Sequence, residues 1–439
     1  MASVSRRSLL AASAALSLPR ALRAQTAAFD TDIAIIGAGA AGLAAARECQ
    51  LLQRGFVLLE ARQRIGGRVF TDHSLGEPFD AGAVYIHWAE SNPWAGIARG
   101  LNIATLDDKA SLGAFQFFER GQRQERNPKR GAAFEKVADL LDSDLGEVPD
   151  ISIAQRFAGQ GNELAQAAGS LARMALGEEP ERVSAKDYGR LWSGDDLLVP
   201  SGYGDLVARY GADVPVRLGV TVTGIDTSGP GITLATSQGT IRAKHAIVTL
   251  SAGVLASGAI RFTPALPVLT QEAIAGIGMG ALSKIALKFD GSRFAIPEGT
   301  DLFDSESARE VFDFECWGYG RSLVVVQVGG DHARAILGLG RAGAIATALD
   351  VFCALVGAQA RAAFVGGTTA DWLADPLALG SYSHALPGHA DARAKLATPV
   401  AGALRFAGEA TGGEDFGGAM TAGGAFLAGR EAVRAIARL

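Results

Sequence analysis

The chain has 439 residues, enough to bury a large core and to make about two domains. Hydrophobic residues account for 48% and charged residues for 20%, a globular balance that excludes a disordered chain. A net charge of −5 disfavours nucleic acid as a partner; it suits a cationic ligand, or simply solubility.

Residues 1–24 stand apart from the rest. Ser5-Arg6-Arg7-Ser8-Leu9-Leu10 has the form of a twin-arginine signal, with Ala11–Leu18 as its short apolar stretch. The expectation is cleavage after Ala24 and export of a folded protein to the periplasm or beyond. A frayed basic N-terminus is the alternative. Loss of the four Arg in this segment takes the net charge to −9. No later stretch reads as a stable membrane span, since the apolar segment around Ile345–Val356 is short and interrupted by Asp350.

Asp32-Ile33-Ala34-Ile35-Ile36 reads as a buried parallel strand, and residues 40–53 have helical apolar spacing. Between them stands Gly37-Ala38-Gly39-Ala40-Ala41-Gly42. In such a turn Gly37 permits the reversal, Gly39 lets the backbone approach a pyrophosphate, and Gly42 lets helix and strand pack closely. The helix start, including Ala41, then offers free N–H groups to phosphate. A second strand, Phe56-Val57-Leu58-Leu59, ends in Glu60, where an acid binds ribose hydroxyls and disfavours a phosphorylated ribose. Near the far end stand Phe406-Ala407-Gly408-Glu409-Ala410-Thr411 and Thr421-Ala422-Gly423-Gly424-Ala425. The first piece alone says dinucleotide. The two together imply FAD enclosed by a discontinuous domain.

Cys49, Cys316 and Cys353 are few and widely spaced, with no CxxC, so neither a metal site nor a disulfide framework is indicated. Cys49 and Cys353 read as core residues. A Cys316–Cys353 bridge is conceivable in an oxidising compartment but nothing in the spacing supports it.

After Glu60 come Ala61-Arg62 and then Gly66-Gly67-Arg68-Val69. Downstream of GxGxxG, that combination resembles the flavin-containing amine oxidases: monoamine, polyamine and L-amino acid oxidases and the related histone demethylases. The resemblance covers nearly all of residues 30–436 and is closest in motifs to polyamine oxidases. Asp80-Ala81-Gly82-Ala83-Val84-Tyr85-Ile86-His87 is similar to the segment that passes the flavin. Pro200-Ser201-Gly202-Tyr203-Gly204 is similar to the return into the FAD domain, and Val216, Leu218, Val222 and Ile225 to the strand whose backbone meets adenine. Ala246–Leu250 and Phe262–Pro267 resemble the strand and crossing that lead out again.

The resemblance also assigns site residues. Lys284, in Ser283-Lys284-Ile285, corresponds to the family lysine that holds a water near flavin N5. Taken alone, the alternation of Lys284, Ala286 and Lys288 reads as a solvated edge face. Tyr382 corresponds to the first aromatic of the substrate cage, using its π-face, and Trp372 to a residue near the flavin ring. The second cage aromatic of monoamine oxidases falls at Thr421, a departure that fits polyamine oxidases. Ser381 falls where monoamine oxidases attach FAD through cysteine, so the FAD is expected to be non-covalent. Ile86-His87 resembles the Ile-His of animal-type polyamine oxidases, where the histidine lies at the substrate amine and can take up a proton near neutrality. Tyr85 and Trp88 depart from the Trp and Gly of that pattern. A polycation also needs acids along its channel; Glu90, Asp195, Asp196, Glu315, Glu414 and Asp415 lie near the matched segments. An amino-acid oxidase would need an Arg for the carboxylate, and Arg120 and Arg190 are available.

The expected fold class is α/β: a doubly wound, Rossmann-like FAD domain of 25–85, 199–272 and 376–439. A substrate domain of mixed sheet and helices is expected over 86–198 and 273–375, with strands at Arg309–Cys316 and Leu323–Val328 and a helix at Ala342–Val356. The resemblance implies oxidation of a small-molecule amine, most like a polyamine, to an imine and aldehyde, with oxygen as acceptor and hydrogen peroxide as product. An L-amino acid oxidase, an amine dehydrogenase serving a protein acceptor and a non-catalytic flavin-binding module are the alternatives. Oligomeric state leaves no readable trace.

Overall fold

The computed structural model describes residues 29–111, 114–125, 128–142, 149–305, 307, 309–412 and 417–439. The twin-arginine segment, Glu414 and Asp415 lie outside the described residues. Thr31–Ile36, rich in β-branched residues, forms the central strand of one large sheet, with Phe56–Glu60 and Gly239–Val248 parallel on either side. Leu404–Phe406 adds another parallel strand along Gly239–Val248. Both faces of the central strand are buried, as its unbroken apolar run requires.

The stretch expected as one strand over Val216–Ile225 is two. Val216–Leu218 pairs with Phe56–Glu60 at one edge, whereas Val222–Asp226 pairs with Ile232–Thr236 and Arg261–Thr263 at the other end of the strand order. Gly219, at φ +68°, turns the chain between them. Four residues reach about 13 Å, far less than the roughly 24 Å of five flat strand spacings. The sheet therefore folds over itself. Gly239–Val248 is shared between the layers: its first half pairs with Ile232–Thr236 and its second half with Thr31–Ile36.

One face of the parallel layer is covered by helices and the other by this meander together with Val268–Ala275 and Ala392–Ala397. On the helical face, Ala40–Leu51 lies against the last helix, Ala422–Ala437. A Cβ at Gly429 would sit 2.0 Å from the Ala41 carbonyl oxygen, so only glycine permits this approach. Arg434 Nε reaches Glu48 Oε1 at 2.7 Å along the same seam. Helices far apart in the sequence are thus packed into one layer.

The second large sheet has seven strands among the described residues, in the order Phe364–Thr369, Leu282–Phe289, Leu323–Gly329, Val311–Cys316, Thr300–Ser305, Phe115–Glu119, Gln122–Gln124. It is mixed, as expected: every pair is antiparallel except Thr300–Ser305 with Phe115–Glu119. One face carries Ile285, Leu287, Phe289, Phe314 and Val326 and is covered by Gly330–Gly338 and Gly340–Val356. The short antiparallel pair of Ile277–Met279 with Ser383–Ala385 brackets the later passage of the chain through this half, after the earlier one that contributes Phe115–Glu119 and Gln122–Gln124.

All three cysteines are free, so the conceivable Cys316–Cys353 bridge is absent. Cys49 is buried, and Cys353 is only half-buried against the second core. Among the described residues no single helix is long and apolar enough to cross a membrane. Gly330–Gly338 and Gly340–Val356 reach that length only as a pair bent by 117°, and their apolar residues pack on the sheet.

Phe289 anchors the second core, 1% exposed and in ring contact with Phe294, Trp317, Phe352 and Phe364. Replacing Phe289 by Ala is expected to cost about 3–5 kcal/mol. Urea unfolding of parent and variant measures this; a loss below about 1 kcal/mol would mean that this core is not packed as described.

Candidate active site

A cavity of about 600 Å³ runs between the two sheets, within the size range of cofactor and ligand sites. Gly37, Gly39 and Ala41 line it from the first turn, and Glu60, Ala61 and Arg62 from the end of the second strand. Gly67 and Arg68, Val222, Trp372, Gly408 and Glu409, and Thr421 and Ala422 also line it, as do Lys284, Tyr382 and His87. Gly42 is set back from the wall, as are Val216, Leu218 and Ile225 of the stretch expected to meet adenine.

The glycines separate into two kinds. Gly42 is required by packing, since its Cβ would lie 1.8 Å from the Gly37 carbonyl oxygen. Gly37 stands at φ +100°, with Thr249 Oγ1 2.6 Å from where a Cβ would be. Gly39 is different: a Cβ there would meet no protein atom closer than 3.9 Å, and its backbone is extended. Nothing in the chain itself needs glycine at 39, so the space it leaves is available to a bound group. Gly39 also caps Ala40–Leu51 without a side-chain hydrogen bond, leaving the first-turn N–H groups open to the cavity. The start of Ala422–Ala437 meets the same space. Thr421 is its N-cap, accepting the Gly424 N–H at 3.0 Å. This donor set, with a carboxylate at Glu60, fits a dinucleotide pyrophosphate and ribose.

Glu60 also organises the turn: its oxygens accept the Ala38 and Arg62 N–H groups, both at 2.8 Å. Glu409 lines the cavity and is also held by protein partners. Its oxygens are taken by Arg68 Nη1 at 2.9 Å and by the Ser383 hydroxyl at 2.6 Å. Burial pushes the Glu409 carboxyl up, but the Arg68 charge, the Ser383 hydroxyl and the Arg393 charge outweigh it and hold it below its ordinary value.

Lys284 lies on the strand Leu282–Phe289, flanked on both sides by other strands, so the solvated-edge reading of its alternation fails. Its face of the sheet is turned to the other half of the molecule, and the residue is 7% exposed. Nζ donates to the Gly82 carbonyl. Burial lowers the ammonium to about 8, against the opposing charges of Asp80 and Glu315. Tyr382 donates its hydroxyl to the Ala175 carbonyl at 2.9 Å. Ser381 bonds Gly280 and Leu282 of the backbone, at 2.8 and 3.1 Å. Trp372 Nε1 donates to the Ala81 carbonyl at 2.9 Å, which fixes its ring at the cavity wall.

His87 is half exposed, with Nδ1 3.0 Å from Asp196 Oδ2. Tyr85 and Trp88 flank its ring at 5.6 and 6.4 Å between centroids. Asp108 and Asp196 line this part of the cavity. Glu90 and Asp195 are exposed and do not line it, and neither does Arg120 or Arg190. Arg190 Nη1 instead binds the Ala390 carbonyl at 2.6 Å.

Strand register shows what lies beyond Lys284 on its face of the sheet. Lys284 is opposite Gln327, Gln327 opposite Asp313, and Glu315 opposite Asp301. Asp301, Asp313 and Glu315 have no ion pair among the described residues, and Asp313 Oδ1 is buried with no hydrogen-bond partner. Burial, then Glu315 and Asp108, pushes Asp301 up to about 7. Burial, then Asp301 and Glu315, raises Asp313 as well. Only Glu315 of this group was nominated from the sequence; the others become visible once register puts them on one face. Asp187 and Arg393, a fully buried pair behind Tyr382, were also missed, because single charges in short helical segments read as surface.

The molecule resembles known proteins in both fold and sequence. It superposes on a putrescine oxidase bound to putrescine with a TM-score of 0.79 at 19% identity, covering 93% of this chain and 99% of that one. Cyclohexylamine oxidase from Brevibacterium oxydans IH-35A gives a TM-score of 0.77 at 23% identity with the same coverages. A probable polyamine oxidase 4 of Arabidopsis thaliana is 32% identical over 59% of this chain, and the match spans only 58% of that relative's length. Polyamine oxidase 4 of Oryza sativa subsp. japonica is 28% identical over 88% of this chain and 85% of the relative. Residues 40–437 match the flavin containing amine oxidoreductases, and the chain belongs to that family.

Proposed function

We propose that this protein is an FAD-dependent oxidase of a polyamine, exported through its twin-arginine segment and using oxygen as acceptor. In the overall reaction a carbon next to nitrogen loses hydrogen to give an imine. Water converts this to an aldehyde and the released amine, while oxygen takes up the two hydrogens as hydrogen peroxide. Bound FAD supplies the redox chemistry, taking up the electrons of the amine. The chain's own part is to hold the cofactor, orient the amine and govern protons.

On this reading Gly39, Ala41, Gly408 and the start of Ala422–Ala437 would take the pyrophosphate, and Glu60 with Val222 the adenosine. Arg68, Trp372 and Thr421 line the remaining stretch of the cavity. Ser381 has no thiol and its hydroxyl is engaged by backbone, which supports non-covalent attachment. Tyr382 and His87 face the space in which an amine would lie, and Lys284 brings a buried nitrogen that changes charge near neutrality.

The observation that carries the reading is the charge balance of the cavity. Its arginines are already paired, Arg62 with Asp375 at 2.7 Å and Arg68 with Glu409 at 2.9 Å. Its carboxylates Asp108 and Asp196 lie beside His87, and the same sheet face continues into Asp301, Asp313 and Glu315. This favours a cation over the carboxylate of an amino acid. The polyamine and putrescine oxidases among its relatives and structural neighbours support the same class.

Anaerobic mixing of the FAD-loaded protein with spermine, spermidine, acetylated polyamines, monoamines and L-amino acids tests this directly. Polyamines are expected to bleach the flavin fastest; bleaching by L-amino acids alone would refute the reading. Asp196→Asn is expected to raise KM for polyamines about tenfold, the worth of roughly 1.4 kcal/mol, with little change for monoamines. Lys284→Met should retain FAD but slow reoxidation by oxygen, seen by stopped flow after anaerobic reduction; unchanged reoxidation would remove Lys284 from that step.

The depressed Lys284 value also makes a stability prediction. Between pH 8 and 10.5 the unfolded chain holds a proton on Lys284 that the folded chain has released, so stability rises with pH across that window. Relative to Lys284→Met, the parent should gain about 3 kcal/mol over it. Urea unfolding of both proteins at pH 7.5 and 10.5 measures the difference, and equal changes would show an unperturbed lysine.

A further inference from the structure

We infer that Asp187 and Arg393, neither of which lines the cavity, form a buried clamp that positions the Tyr382 segment and sets the electrostatic balance of the flavin site. Arg393 is 2% exposed and all five of its N–H donors are used. Nε and Nη2 reach the two oxygens of Asp187 at 2.7 and 2.8 Å. Nη1 reaches the Ser383 hydroxyl at 2.7 Å and the Ala410 carbonyl at 3.1 Å, and Nη2 reaches the Ser383 carbonyl at 3.2 Å. Asp187 also accepts the Ala385 N–H at 2.8 Å. The Ser383 hydroxyl in turn donates to Glu409, which also accepts from Arg68. Arg68 Nη1 in turn binds the Ser381 carbonyl at 2.9 Å.

The segment 381–385 is therefore gripped at Ser381, Ser383 and Ala385, with Tyr382 and its cavity-facing ring in between. The grip comes from both halves of the chain. Asp187 belongs to the short helix Ala185–Tyr188, whereas Arg393 belongs to Ala392–Ala397, which packs on the cofactor sheet. Fork geometry of this kind fixes orientation as well as distance.

The clamp also balances charge. Arg68 and Arg393 contribute two positive charges, Glu409 and Asp187 two negative ones, all linked through hydrogen bonds. Burial disfavours the charge on Asp187, and Arg393 with the Ala385 N–H more than reverses this. Removing the Asp187 charge leaves one uncompensated buried cation beside Glu409, which itself lines the cavity. A net positive charge there favours the more negative, reduced state of a bound flavin. An ion pair that only held the fold together would change stability and leave that balance alone.

The inference rests on the cavity holding FAD but not on which amine is oxidised. The test is the midpoint potential of FAD in the loaded full-length protein, measured anaerobically against reference dyes. Asp187→Asn is expected to raise it by about 30 mV or more, a tenfold shift in the two-electron equilibrium. The double variant Asp187→Asn with Arg393→Gln restores neutrality and should return the potential towards the parent value. Asp32→Asn, which breaks the Arg54 pair at the opposite end of the first strand from Gly37, should leave it unchanged. A folded, FAD-loaded Asp187→Asn with the parental potential would overturn the inference, as would an equal shift in Asp32→Asn. If Asp187→Asn does not fold, the charge-balanced double variant must still fold and load FAD with a near-parental potential; its failure to do so would also overturn the inference.

Discussion

The close contact between the first and last helices holds the cofactor cradle together, and it depends on Gly429 lying against the Ala41 carbonyl. Two helices from opposite ends of the sequence are thereby packed side by side, with their N-terminal ends at one cavity. Each end brings open N–H groups and the positive end of a helix dipole. Neither helix alone would enclose an anionic group. Glycine acts by allowing backbone to approach backbone at Gly42 and Gly429 and by leaving a free cradle at Gly39, which are separate physical roles for one residue type.

The second half of the molecule supplies what the first lacks, a sheet face that reaches the cavity with ionisable groups. Helices cover the opposite face, so the remaining face must meet either solvent or the cofactor half. Lys284 and Gln327 lie where it meets the cofactor half, and Asp313, Glu315 and Asp301 follow along the register. Cross-strand carboxylates directly opposite one another are unfavourable without a cation between or beside them. Such an arrangement is stable as a neutral, proton-sharing group or when a cation is bound, consistent with the raised values of Asp301 and Asp313. The two arginines that line the cavity, by contrast, already have carboxylate partners.

Between the halves, the segment 381–385 is the narrow point. It pairs with Ile277–Met279, bonds Gly280 through Ser381, and accepts the grip of Arg68, Glu409, Arg393 and Asp187. A side chain projecting from such a segment has little freedom, which suits Tyr382 as a fixed wall rather than a moving lid.

The sequence by itself determined what is local. The strand, glycine turn and helix of 31–51, the acid at Glu60 and the glycine-rich C-terminal motif follow from residue spacing, because each needs only neighbours in the chain. The family resemblance then placed Lys284, Tyr382 and His87 around one cavity. What only the tertiary structure decided depends on partners far away in sequence. Alternation made Lys284 look solvated, because a period of two shows which residues share a face and not what covers that face. The break at Gly219 divided one expected strand into two distant ones, since a single left-handed residue redirects the chain without altering the apolar pattern around it. Glu409 lines the cavity and is also a partner of Arg68 and Ser383, and Asp187 and Arg393 form a hydrogen-bonded pair of buried charges behind the site. Such pairs lie 206 and 341 residues apart in the chain. No local pattern encodes them; they arise because burying a charge is tolerated only where folding brings its counter-charge and hydrogen bonds to it.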